Sequence, residues 1–278
     1  MTNPLSQYFR QPSIYIKLPS GGQHYPPGAL DVPPNGELPV YPMTAIDEIT
    51  YRTPDALFNG SAVVNVIQSC LPNIKNAWAV PSSDVDAILT AIRIASFGHD
   101  MPVDCYCPKC NNEDNFTVDL RTILDTLKSA NYNDPICHRD LEIYFKPMSY
   151  QTLNENNRVQ FEEQKMLQNL NSDEATTDED RARKIGDVLK KITDMTVNSI
   201  AQSISTIKTP DSLVSETEFI IDFLKNCESQ LFAQIRDRVI SMKNLSEIKP
   251  LAVKCTACGT EYQQPFTLDM TSFFDRAS

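Results

Sequence analysis

"DCYCPKC", residues 104–110, places three of the chain's eight cysteines within one short stretch. A second cluster, "KCTACGT", follows at 254–260. Each contains a Cys-x-x-Cys knuckle, formed by Cys107 and Cys110 in the first and by Cys255 and Cys258 in the second. A knuckle of this spacing offers two thiolates from one tight turn, and a tetrahedral structural zinc site needs four. Two knuckles are required and two are present. Aligning the segments sets Cys105 opposite Val253, two residues before the first ligand and on the incoming strand. The ligand set therefore reads as Cys107, Cys110, Cys255 and Cys258 around one Zn²⁺, with Cys105 a buried strand residue.

The two segments echo each other beyond their cysteines. "CPKCNNEDNFTVDL" runs on to Phe116-Thr117-Val118-Asp119-Leu120, and "CTACGTEYQQPFTLDM" to Phe266-Thr267-Leu268-Asp269-Met270. Each reads as a strand, a knuckle and a returning strand, and two such hairpins sharing a metal make a zinc ribbon with pseudo-two-fold symmetry. Between Cys110 and Cys255 lie 144 residues (255 − 110 − 1), against roughly 15–20 in an ordinary ribbon. The chain thus reads as a ribbon split by a large insertion. Other uses of the cysteines fit less well. Redox knuckles open a helix in a βαβ setting, whereas these sit between strands. Disulfides need an oxidising compartment, and the N-terminus shows no basic segment followed by an apolar run. A catalytic zinc keeps one position open, and four thiolates fill the shell.

Outward from the knuckles, the pattern predicts an α+β protein. Residues 1–43 read as an extended, Pro-rich arm in which "SIYIKLP" and "GELPVYP" are short strands. Prolines at 12, 19, 26, 27, 33, 34, 39 and 42 confine those strands to edges. Such an arm can fold back on its own domain or lie on a neighbour; its low apolar density favours docking on a neighbouring subunit. A helical segment covers 44–100. Thr44 is a candidate N-cap with an acid three residues on. "SSDVDAILTAIRIASFG" is a helix capped by Ser82 or Ser83 and ended by Gly98, with Val85, Ile88, Leu89, Ile92 and Ala95 on one face. The two ribbon halves occupy 101–120 and 250–278. The insertion, 121–249, holds a strand, "DLEIYFKPMS", leading to a helix near Ser149, and a flexible acidic loop about 171–181. A long helix over 183–207 follows, then two more, "TPDSLVSETEFIIDFLKN" and "SQLFAQIRDRVISMKNL".

Composition narrows the function. The net charge of −11 argues against a nucleic-acid binder that works by neutralising phosphates. No stretch approaches the roughly 20 apolar residues of a membrane helix, and the reading is of a soluble intracellular product. Neither a Walker-type loop nor a dinucleotide fingerprint occurs. Three histidines, at 24, 99 and 138, leave little for His-based catalysis. His138 adjoins Cys137, but neighbours on an extended chain face opposite ways. Trp78 is a core-edge residue or an interface anchor. Cys70, Cys137 and Cys227 read as packing residues. No catalytic or cofactor-binding residue stands out.

Several stretches together resemble the baseplate hub proteins of T4-like contractile-tailed phages. They are "IKLPSGGQHYPPGAL", "VYPMTAIDEITYRTPDALFNGSAVVNVIQSCLPNI", "DVDAILTAIRIASFGHDMPVDCYCPKC", "FIIDFLKNCESQLFAQIRDRV" and "VKCTACGTEYQQPFTLDMTSFF". The resemblance implies a structural or assembly component of the virion tail baseplate, made in the host cytoplasm. It also implies contacts with other baseplate and tail proteins inside a symmetric assembly, and no enzyme chemistry. Two other readings stay open: a chaperone of hub assembly that leaves the finished particle, and a regulatory or nucleic-acid-binding zinc ribbon.

Overall fold

The hairpin that carries the first knuckle belongs to a unit assembled from both ends of the chain. In the computed structural model, residues 4–51, 59–172 and 178–266 are described, with side chains left aside in 167–182. One unit comprises Met1–Ser129 with Asn244–Ser278, the other Ala130–Lys243. Helices and antiparallel strands alternate through both, so the fold is α+β.

In the first unit, β1 (Ile14–Ile16) and β2 (Leu38–Val40) pair antiparallel, Ile14 with Val40 and Ile16 with Leu38. The alternation sends Ile16, Leu38 and Val40 inward and leaves Tyr15 exposed, as a half-buried ribbon requires. Of the two placements anticipated for the arm, the one seen within this chain is folding back: from Arg10 to Val40 the segment is packed onto its own unit. Arg10 fastens it, donating to Pro42 O, to Ser69 O and Oγ, and to Asp47 Oδ2. Ser20 reaches in the same way to the buried Asp84, which accepts from its N–H and hydroxyl and from Tyr25 Oη. These polar clamps, together with five buried aliphatic side chains counting Leu18 and Ala29, supply what apolar density alone did not.

Helix α1 (Ala45–Tyr51) starts at Thr44, where Asp47 N–H bonds Thr44 Oγ1 and the Asp47 carboxylate accepts from Thr44 N–H. This is the reciprocal capping read from the sequence. Helices α2 (Ser61–Cys70) and α3 (Ser82–Phe97) form the centre of the unit. Val85, Ile88, Leu89 and Ile92 of the anticipated face are buried in α3, but so are Asp84, Thr90, Arg93 and Ile94. α3 is enclosed on nearly all sides, and Arg93 lies over the Phe97 ring at 4.6 Å. Its N-cap is Pro81, whose carbonyl accepts Asp84 N–H, so neither Ser82 nor Ser83 caps it. Gly98, with φ 89°, ends it. The chain then enters β3 (Asp100–Tyr106), the first knuckle, β4 (Glu113–Asp119) and α4 (Leu120–Thr126).

The second unit carries a four-stranded antiparallel sheet in the order β5 (Ile136–His138), β6 (Leu141–Phe145), β7 (Ile204–Lys208), β8 (Leu213–Val214). Ile143, Phe145, Ile204 and Ile207 join Ile200, Ile220, Leu224 and Ile235 in its core. Its helices are α5 (Tyr150–Ser172), α6 (Asp178–Gln202), α7 (Thr217–Asn226) and α8 (Ser229–Ser246). Ser149 caps α5 by accepting Thr152 N–H. The helix anticipated over 183–207 stops at Gln202. Beyond it, Ile204 and Ile207 face the core from β7 and pair with Phe145 and Ile143, because β-branched residues fit a pleated surface better than a last helical turn. The anticipated acidic loop is narrowed by α5, which reaches Ser172, and by α6, which begins at Asp178; 173–177 lie outside the described residues.

β9 (Leu251–Lys254), the second knuckle and β10 (Glu261–Gln264) return to the first unit. The Thr267–Met270 part of the sequence echo lies outside the described residues. No described helix is long and apolar enough to cross a membrane.

Candidate metal centre

Each knuckle grows from the last rung of an antiparallel hairpin. In the first, Tyr106 pairs with Glu113; in the second, Lys254 pairs with Glu261. Both rungs are closed by side chains, Tyr106 Oη donating to Glu113 Oε1 at 2.9 Å and Lys254 Nζ lying 3.9 Å from Glu261 Oε1. Inside the turns the hydrogen bonding is the same. Cys107 N–H bonds Asn112 O and Asn111 N–H bonds Cys107 O; Cys255 N–H bonds Thr260 O and Gly259 N–H bonds Cys255 O. The residue after the second cysteine takes a left-handed conformation in each, Asn111 at φ 55° and Gly259 at φ 71°. Asn and Gly are the residues that tolerate it. The two turns are structural copies.

These turns bring Cys107, Cys110, Cys255 and Cys258 together, with all four Sγ atoms within 4.8 Å of one another. Cys107 Sγ lies 3.6 Å from Cys258 Sγ, and Cys110 Sγ 3.6 Å from Cys255 Sγ. All are free thiols. A tetrahedral ion with metal–sulfur bonds of roughly 2.3 Å separates its sulfurs by about 3.8 Å, so the spacing suits one ion. Cys107 and Cys255 are buried while Cys110 and Cys258 are exposed, which repeats the pseudo-two-fold relation.

The electrostatics fit the same occupant. The Thr260 hydroxyl, with its backbone N–H, favours the Cys258 thiolate and lowers it to about 6. At Cys110 the Asn112 N–H also favours the thiolate, but the Cys258 sulfur, lost hydration and the other two sulfurs outweigh it and raise the thiol to about 12. Four sulfurs this close cannot all ionise unaided, and a dication in their midst removes the conflict. Thiolate donors of this number and geometry hold a soft or borderline metal ion.

Cys105 stays out of the group. It is buried on β3, paired with Asp114, its Sγ–H reaching Val103 O at 3.7 Å. Cys70 is buried in α2, Cys227 follows α7, and Cys137 is exposed on β5. His138 is the next residue on that strand and faces the other side. Trp78, in a single 3-10 turn, is half-buried.

One residue of the centre escaped the sequence reading. Asp114, on β4 and buried, accepts from Thr256 N–H at 3.1 Å and from the Thr256 hydroxyl, and from Asn112 Nδ2 at 2.9 Å. The Thr256 hydroxyl above all holds its carboxyl below the usual range. Asp114 thus joins one hairpin to the turn of the other. An Asp amid "NNEDN" carries no signal in the sequence.

A family model described as "T4 bacteriophage base plate protein" matches residues 15–275 of this chain. Neither the curated proteins nor the solved structures give a match.

Proposed function

This chain belongs to the T4 bacteriophage base plate protein family, and from that premise we propose that it is a zinc-stabilised structural component of the hub region of a contractile-tail baseplate. The family match carries the reading, because it spans both cysteine knuckles and the whole insertion between them. In this reading the chain acts through contacts with other baseplate and tail proteins in a symmetric assembly, not through catalysis. Nucleic acid is no partner, in keeping with the net charge of −11.

Cys107, Cys110, Cys255 and Cys258 hold one structural Zn²⁺. Their tetrathiolate donor set and mutual spacing support it. The ion fills its shell with protein ligands and supplies cross-linking, not Lewis acidity at an open position. It clamps the two ribbon halves, 101–120 and 250–278, across the insertion at 121–249. For a split ribbon this matters, since metal binding energy is folding energy.

Mass spectrometry of purified particles tests the placement. The chain is expected in mature virions at a copy number matching a hub symmetry. Its absence from purified virions would convert the reading to an assembly factor that departs after the hub is built. Copies matching the baseplate periphery would move it out of the hub.

A further inference from the structure

The four cysteines come from two hairpins whose sequences lie far apart, and a CxxC turn by itself dictates nothing about where the other turn sits. Something outside the ligand set must bring the halves into register. Apart from the contacts among the four sulfurs, the described residues offer one polar link across the two turns: Thr256, the residue immediately after the ligand Cys255, bonds Asp114 through both its backbone N–H and its hydroxyl. Asp114 in turn is oriented by Asn112 Nδ2, and Asn112 closes the first knuckle by accepting Cys107 N–H. One carboxylate therefore joins the backbone and hydroxyl of Thr256 in one turn to the Asn112 side chain in the other, across 142 positions of sequence. It is 8% exposed.

We propose that Asp114 is the positioning residue of the metal centre, a latch that holds the second knuckle in register with the first so that the four thiolates meet one ion. The proposal rests on the reading of the cluster as a metal site. Three features carry it. Asp114 gives two of its acceptor positions to a single residue of the opposite turn, which sets both distance and orientation. It is anchored to its own turn, so it transmits the geometry of one knuckle to the other. And it stands outside the ligand cluster, which among the described residues consists of the four cysteines. Outer-sphere partners of this kind orient ligands and influence affinity without touching the ion.

A valine in place of Thr256 removes one of the two bonds and keeps the backbone donor. Asparagine in place of Asp114 keeps one acceptor oxygen but turns an amide N–H₂ toward another donor. Alanine removes the latch. The three substitutions thus form a graded series.

The experiment uses the full chain. Zinc content, zinc affinity by competition with a chromogenic chelator, and the rate of zinc release are measured for the wild type, Thr256→Val, Asp114→Asn and Asp114→Ala. The cobalt(II)-substituted spectrum and the melting temperature with saturating zinc accompany each. The wild type is expected to hold one zinc. Asp114→Ala is expected to bind about 10- to 100-fold more weakly and release faster, with the two milder variants between. At saturation all should keep the tetrathiolate cobalt spectrum, because the ligands are intact. If Asp114→Ala does not fold, Thr256→Val and Asp114→Asn must still show the graded loss, and their failure to do so overturns the proposal. Unchanged affinity and release in every variant reduce Asp114 to a packing residue and overturn the proposal alone, leaving the metal site standing. An altered cobalt spectrum at saturation makes Asp114 part of the ligand sphere and also overturns it. A wild type that binds neither zinc nor cobalt overturns the metal site and the latch together.

Discussion

Cys107 Sγ and Cys258 Sγ stand 3.6 Å apart across 151 positions of sequence. A spacing of that size between sulfurs of different hairpins suits a shared ion. Elemental analysis of protein purified without chelator is expected to give one zinc per chain, and stripping the zinc should unfold the ribbon. Metal-free protein that folds normally would sink the assignment.

Cys107→Ser and Cys105→Ser should separate sharply. Loss of one thiolate undermines a site whose binding energy is folding energy, so Cys107→Ser is expected to lose zinc. Cys105 lies on β3 outside the cluster, and its serine variant should keep zinc and cost on the order of 1 kcal/mol in packing. Equal zinc loss in the two variants, read by metal analysis, contradicts the ligand set.

Arg10 should matter beyond its surface position. Its guanidinium donates to Pro42 O, Ser69 and Asp47, and lies 5.9 Å from the centre of the Tyr41 ring. Arg10→Ala leaves the buried Asp47 carboxylate short of a cation, and is expected to lower stability by about 2 kcal/mol, from the usual worth of charged hydrogen bonds. A urea midpoint measures it. Deleting residues 1–41 should go further and unfold the first unit, since Ile16, Leu18, Leu38 and Val40 are core residues. A truncated chain that stays folded contradicts the packed arm.

Asp119 gives a pH test with a definite sign. It caps α4, accepting from Arg121 N–H and the Arg121 guanidinium, and those bonds lower its carboxyl to about 2 from an ordinary 3.8. A carboxylate depressed in the folded state stabilises above its unfolded value and loses that contribution as pH falls through the folded one. Asp119→Ala is therefore expected to lower the melting temperature at pH 7, with the gap to wild type closing as pH falls from 3.8 toward about 2. A gap that stays constant in acid contradicts the charge-assisted cap.

Thr90 is fully buried in α3, and among the described residues its hydroxyl has no hydrogen-bond partner. Thr90→Val keeps the shape and removes a desolvated polar group. It should be neutral or stabilising by up to about 1 kcal/mol, again read from a urea midpoint. A loss larger than that means the hydroxyl has a partner.

The amino-acid sequence alone determined whatever depends on near neighbours. The CxxC spacing sets each knuckle, the Thr44–Asp47 box starts α1, and Gly98 ends α3, because each involves a few residues whose conformations constrain one another directly. Even the pairing of Cys107 and Cys110 with Cys255 and Cys258 was legible, since a tetrahedral site needs four ligands and only these repeat. The tertiary structure decided what pairs at a distance. "SISTIK" has residues that suit either a helix end or a strand, and the tie is broken by hydrogen bonds to β6 that no local pattern encodes. The Pro-rich N-terminal segment looked too poor in apolar residues to pack, yet Arg10 and Ser20 hold it through Asp47 and Asp84, partners 37 and 64 positions away. Asp114 was silent in sequence for the same reason. A carboxylate becomes a latch only when folding places Thr256 against it, and that energy belongs to the pair.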